Sequence, residues 1–440
     1  MDILIKIAQL FLCFTILVGI HELGHFLMAR AFKIRVEKFY IFFDPWFSLF
    51  KFKRGDTEYG LGWLPLGGYV KIAGMIDESM DKEQMKQPVK PDEFRAKPAW
   101  QRLLVMVAGV MMNVLLAIVI YCAVCYTWGD SYFSNQDAKW GYNFNPTAHE
   151  MGFRDGDRFV SIDGEEIANV MRVQTGLLIP DGGRRVVVGR GGEPVTLDIP
   201  FESLLRMRQE KAYEDLFTLR LPFIVDSVSY TSAVEAGLQS GDEVVAIDDL
   251  RDADYPRYRD YLQKHKNDKV LLTVRRDGAL IDSLALPVDA EGRIGVTVTN
   301  PYSLRTQYYT FWESIPAGIH KAGKTISSYW DQLKLIVQPK TKMYEELGGF
   351  VAIGSIFPGS WDWHDFWLKT AFLSIILAVM NLLPIPGLDG GHALFTLWEI
   401  ITRRKPSEKF LEVAQYVGLM IILALLVYAN GNDIYRFFIK

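Results

Sequence analysis

Four runs of apolar residues dominate the pattern of the chain, at about 3–32, 103–128, 366–386 with an apolar continuation, and 410–429. About 20 residues suffice for a helix to cross the ~30 Å hydrocarbon layer of a bilayer. The pattern therefore predicts an integral membrane protein with four transmembrane helices. The first run lacks a small-residue cleavage site and is expected to be retained as a span.

Between the first two runs, "YGLGWLPLGGYVKI" (59–72) alternates apolar residues with glycines and Pro65, which predicts short strands, a turn, and an edge or close backbone approach. From Met75 to Lys97 the composition turns charged and polar, and a mobile loop is expected there. Farther on, "FWESIPAGIHKAGKTISSYWDQLKLIV" spaces its apolar residues at a helical period. It should form an amphipathic helix against sheet domains or the membrane surface.

The segment between the second and third runs repeats itself at an offset of 85 residues: "AHEMGFRDGDRFVSID" from Ala148 aligns with "AVEAGLQSGDEVVAID" from Ala233. Each copy predicts a short helix ending at a glycine, a Gly-Asp turn, an alternating strand and a tight turn. The pattern resembles PDZ domains, whose groove binds an extended peptide by adding it as a strand.

Composition narrows the picture further. The chain has 440 residues, half of them hydrophobic, and a net charge of -4 with acids and bases intermixed, which argues against a nucleic-acid partner. Cys13, Cys122 and Cys125 all lie in apolar runs, so no disulfide framework is indicated. The redox-like spacing of "CAVC" reads as small buried helix residues. Basic residues cluster after the first run (Arg30, Lys33, Arg35, Lys38, Lys51, Lys53, Arg54) and between the third and fourth (Arg403, Arg404, Lys405). By the positive-inside rule both places are cytoplasmic, which puts the termini and the segment 129–363 on the opposite side.

The chemistry begins at "HELGH" in the first run. His21 and His25 stand four residues apart, on one face of a helix, and can present two imidazoles to one Zn²⁺; Glu22 can serve as general base toward water. An ionisable glutamate at membrane depth is expensive and marks function. A third ligand should come from another polar group in an apolar run. The candidate segment is "AVMNLLPIPGLDGGHAL" (378–394), broken at Pro384 and Pro386, which carries Asp389 and, three residues on, the rival His392. An aspartate would also balance the metal's charge. Broken backbone at membrane depth is tolerated only inside protein or along a wet cavity. His149, His265, His320 and His364 read as ordinary residues of the external segment.

In combination, "HELGH", "GGYVKI", the paired PDZ-like repeats and "NLLPIPGLDGGH" resemble the site-2 protease family of intramembrane zinc metalloproteases over essentially the whole chain. The resemblance implies a membrane α-helical fold of four transmembrane helices with a small membrane-associated β-region, plus two PDZ-like α+β domains on the periplasmic side. The implied boundaries are span 1 with HELGH at 1–32, the β-region and loop at 33–98, span 2 at 99–128 and PDZ-like domains at 129–220 and 221–304. An amphipathic and re-entry segment follows at 305–363, span 3 with the LDG motif at 364–402, and span 4 at 407–430.

It further implies His21, His25 and Asp389 as zinc ligands and Glu22 as the catalytic base. Asn381, Gly67, Gly68, Tyr69 and Val70, with the break at Pro384 and Pro386, would handle substrate. Asn113 matches a family asparagine, whereas Val110 stands where many members have proline. The implied substrates are single-pass transmembrane proteins already trimmed once, such as anti-sigma factors, and signal-peptide remnants, in the bacterial inner membrane. The competing expectation is a non-enzymatic PDZ-containing membrane adaptor with a structural metal; a transporter would fit the repeats poorly.

Overall fold

The computed structural model describes residues 2–64, 67–75, 88–167, 169–170, 173, 176–177, 182–210, 212–213, 215–252, 254–339 and 343–436. Pro65 and most of the polar loop after Met75 lie outside the described residues. The chain divides into two compact units, one made of its two ends up to Asp130 and from Tyr308, the other of Ser131–Gln307.

Among the described residues, four helices are long and apolar enough to cross a membrane, and the first unit holds all four. Helix α1 (Asp2–Ala31) and helix α2 (Ala99–Trp128) have 30 residues each, ~45 Å of helix, ample for a bilayer. They approach closely because glycine lies at the contact. A Cβ added at Gly24 of α1 would stand 2.5 Å from the Ala108 carbonyl oxygen of α2. Small residues at crossings are how helices pack in lipid, where no hydrophobic force drives them together.

Between these helices a four-stranded sheet follows α1. Its strands are β1 (Val36–Ile41), β2 (Phe50–Arg54), β3 (Thr57–Leu61) and β4 (Tyr69–Ile72), in the order β2-β3-β1-β4. β4 is thus an edge. Val36, Val70 and Ile72 of this sheet share a core with Ala29 of α1 and Val105 and Met106 of α2. The edge is braced from behind: the Tyr69 hydroxyl donates to Asp44 Oδ1 at 2.9 Å, and the Tyr69 ring stacks on Tyr40 and Phe43. Burial, then the Asp44 carboxylate, push the Tyr69 hydroxyl well above its ordinary pKa, so it stays a donor.

The Ser131–Gln307 unit contains the repeat as two modules. The first has β5 (Arg158–Ile162), β6 (Glu165–Glu166), β7 (Arg184–Arg190) and β8 (Glu193–Ile199) in the order β8-β7-β5-β6. The second has β9 (Phe223–Val228), β10 (Glu243–Ile247), β11 (Lys269–Arg276), β12 (Ala279–Pro287) and β13 (Val296–Val298) in the order β12-β11-β10-β9-β13.

The repeated letters of the sequence do repeated physical work. Gly156 and Gly241 both have φ of +92°, a region glycine enters freely. The aspartates that follow, Asp157 and Asp242, are buried and gripped bidentately by Arg190 and Arg276. Each arginine also donates at 2.8 Å to the carbonyl ending the short helix, that of Gly152 or Gly237. A buried carboxylate needs such a partner, because the charge alone is costly to desolvate. One clasp therefore closes each module around its Gly-Asp turn.

Beyond this unit the chain forms α3 (Phe311–Val337), opened by a capping box between Thr310 and Glu313, then α4 (Phe350–Ser355) and α5 (Trp363–Leu382). Asp362 caps α5 by accepting from the His364 and Asp365 amides. After a break at 383–388 the chain resumes as α6 (Asp389–Thr402) and ends in α7 (Glu408–Ile434). The break is tight because glycines line it. Gly387 has φ of +100°, and a Cβ at Gly391 would stand 2.5 Å from the Ile385 carbonyl oxygen. α2 is the central post: Ala117, Ile120, Tyr121 and Val124 pack with Ala322 of α3 and with Ala371, Ile375 and Val379 of α5. Arg102 at its start bonds Glu399 of α6 at 2.5 Å, with both side chains largely buried. That ion pair holds the helix beginning at Asp389 against α2.

Candidate metal centre

Helical spacing brings His21 and His25 onto the face of α1 that looks at α2, both less than a tenth exposed. Their Nε2 atoms lie 3.2 Å apart. The break after α5 delivers Asp389 to the same point, with Oδ2 3.1 Å from His21 Nε2 and 3.2 Å from His25 Nε2. Among the described residues this is the one group of three or more His, Cys, Asp or Glu side chains close enough to share a metal ion.

The donor set fits zinc. With ligand bonds of about 2.0–2.1 Å and tetrahedral angles, neighbouring ligand atoms should be about 3.3 Å apart, close to the triangle formed here. Two nitrogens and one carboxylate oxygen leave a fourth position free, as in hydrolytic rather than structural sites. Asp389 Oδ2 is buried and, among the described residues, has no hydrogen-bond donor apart from the imidazoles. A cation would satisfy it.

α2 forms the wall behind the triangle. The Val105 carbonyl oxygen lies 2.8 Å from His25 Nδ1. If Nδ1 carries the proton, Nε2 keeps its lone pair for a metal. One turn later Gly109 faces both rings, and a Cβ there would fall 2.7 Å from His21 Cε1. Another turn on stands Asn113, with Nδ2 3.3 Å from His21 Nδ1. Sequence reading noted Asn113 by resemblance but missed Val105, Gly109 and the place of all three beside the histidines, although "VMVAGVMMN" carried a signal: a glycine and an asparagine four residues apart in an otherwise apolar run.

In front of the triangle is a cavity of about 940 Å³ lined in part by His21, Glu22, His25, Asp389 and His392. Gly67, Gly68, Tyr69 and Val70 of the sheet line it too, as does Asn381, whose Nδ2 is 3.4 Å from His21 Nε2. The edge strand passes close to the glutamate. A Cβ at Gly68 would stand 3.2 Å from Glu22 Cγ, and the backbone of Val70 reaches the Glu22 carboxylate. Pro384 and Pro386 are not among the lining residues. Pro384 is exposed and Pro386 packs against Gly418 of α7. His392, the rival ligand, faces the cavity but is not in the triangle.

Four apolar helices around an open two-imidazole, one-carboxylate cradle define a membrane-embedded metallohydrolase. Comparison with known proteins gives the family: the profile of Peptidase family M50 matches residues 9–425, and the chain belongs to that family. It is a multi-pass membrane protein and a zinc metalloendopeptidase. Relatives match from end to end. A chain named as a zinc metalloprotease in Vibrio cholerae is 29% identical over 462 residues, 99% of each chain. Another so named in Clostridium perfringens is 28% identical over 427 residues, 96% of each. The regulator of sigma E protease of Haemophilus influenzae is 26% identical over 460 residues, 99% of this chain and 100% of its own.

Proposed function

We propose that this enzyme cleaves transmembrane segments of single-pass membrane proteins of the anti-sigma-factor type after a first protease has trimmed them. Signal-peptide remnants would be further substrates, and the site of action is the bacterial inner membrane. The observation that carries the reading is the shared cavity, where the His21–His25–Asp389 triangle, Glu22 and the edge strand β4 meet. The Haemophilus influenzae relative's name supports the link to sigma-factor control.

A peptide bond inside a transmembrane helix is shielded by the helix's own hydrogen bonds, so the substrate must be unwound first. The Gly67–Val70 edge would hold the unwound stretch by backbone pairing, and the Asn381 amide would satisfy a carbonyl freed in the process. His21, His25 and Asp389 would hold the zinc. When bound, zinc supplies Lewis acidity toward a peptide carbonyl and eases deprotonation of water. Glu22 would take the proton from the attacking water and pass it to the leaving nitrogen. The break at Pro384 and Pro386 would act indirectly, by turning Asp389 toward α1.

The direct test is cleavage of a model membrane-spanning peptide by purified enzyme in detergent. Turnover should vanish with a zinc chelator and return with added zinc; chelator-resistant cleavage would reject the reading.

The two modules of Ser131–Gln307 are proposed as PDZ-like domains on the periplasmic face, joined by chain order to the second and third spans. They would act as a size filter that admits trimmed stubs and turns away intact ectodomains. Deleting residues 131–307 should then raise cleavage of untrimmed substrates in cells. No rise would remove the filter from the proposal.

A further inference from the structure

His21 and His25 share a task but not a partner. The second nitrogen of His25 faces a backbone carbonyl, which can only accept. The second nitrogen of His21 faces a side-chain amide, which can donate or accept. Which it does decides whether His21 is a ligand. If Asn113 Nδ2 donates to Nδ1, the ring proton of neutral His21 sits on Nε2, pointing into the triangle, and no lone pair is left there for a metal.

Asn113 is fully buried, and its Oδ1 has no hydrogen-bond partner among the described residues. A half turn about Cβ–Cγ exchanges the two ends of the amide with almost no change of shape. It sets Oδ1 where Nδ2 stands, 3.3 Å from Nδ1. The oxygen that lacked a donor then accepts Nδ1–H, and the Nε2 lone pair turns toward Asp389 and His25. The Asn113 backbone is fixed for this task, because its carbonyl accepts from the buried Ser374 hydroxyl of α5 at 2.8 Å.

We propose that Asn113 is a positioning residue for the zinc: its side-chain oxygen accepts the Nδ1–H of His21 and reserves the Nε2 lone pair for the metal. The helix α2 thus supplies one acceptor per imidazole, two turns apart, at Val105 and Asn113. The inference rests on the zinc reading of the triangle and adds what makes His21 competent within it.

The test compares zinc affinity, measured by chelator competition on the full chain in detergent, for Asn113→Asp and Asn113→Leu. The first keeps an acceptor in place; the second keeps the bulk and removes it. Loss of an outer-shell partner to a metal-bound histidine typically costs 10–100-fold in affinity. Asn113→Leu is expected to weaken zinc by about that factor, and Asn113→Asp to bind within about threefold of the wild type. If Asn113→Leu fails to fold, Asn113→Ser, too short to reach Nδ1, should show the same loss. Equal affinity of the acceptor-free variant and the wild type would overturn the proposal. So would an equal loss in Asn113→Asp, since packing rather than acceptance would then be at stake. Absence of zinc from the wild-type protein itself would instead strike at the triangle.

Discussion

Glu22→Gln is expected to keep its zinc and to lose peptide-bond hydrolysis by about 10²–10⁴-fold, the usual contribution of a positioned acid–base group. The two halves of this expectation follow from the same helix. Glu22 is one residue beyond His21, so its side chain leaves α1 about 100° away from the imidazole. It borders the triangle without belonging to it. Glutamine preserves the size, and the Val70 backbone that reaches the carboxylate would meet an amide instead. What disappears is the capacity to take a proton. Metal content of the purified variant and its turnover of a membrane-spanning peptide measure the two halves separately. Full turnover with bound zinc would remove Glu22 from catalysis. Unchanged activity in cells would favour the adaptor reading, in which the metal merely staples spans together.

Different parts of this protein were legible to different degrees in its sequence. The spans could be read directly, because apolar length is nearly sufficient to specify a helix in lipid, and the described residues include four helices of that kind. The repeat could be read because its letters sit where backbone geometry leaves little choice. Gly156 and Gly241 occupy φ of +92°, and Asp163 and Asp248 sit in matching left-handed turns at +51° and +49°. The clasps on Asp157 and Asp242 could not be read, since Arg190 and Arg276 lie more than thirty residues downstream in strands of unremarkable composition.

The triangle falls between these cases. Four-residue spacing names the histidine pair, whereas the third member depends on how a broken span folds back. Asp389 and His392 are both polar groups in that segment, and only the turn through Gly387 and Gly391 determines which one reaches α1. The wall contributed by α2 was harder still. Val105 acts through its carbonyl, which any residue has, and Gly109 acts by having no side chain to clash with His21 and His25.

Asp389→Ala should abolish zinc binding at concentrations that saturate the wild type, and turnover with it. The carboxylate is the one triangle member that enters from outside α1, so its loss leaves two imidazoles on a single helix and two open positions. It is also the group that neutralises part of the cation's charge in a buried site, where solvent cannot. The affinity lost should therefore exceed the roughly 10–100-fold typical of an outer-shell partner. Stability gives a second readout that does not depend on turnover. A ligand present at 100 times its dissociation constant stabilises the folded state by about 2.7 kcal/mol. Added zinc should thus raise the thermal midpoint of the wild-type protein and leave that of Asp389→Ala unmoved. His392→Ala is the control, because His392 lines the same cavity without joining the triangle. A zinc-dependent midpoint shift that survives Asp389→Ala and disappears in His392→Ala would reassign the third ligand, and with it the direction in which the broken span presents its polar groups to α1.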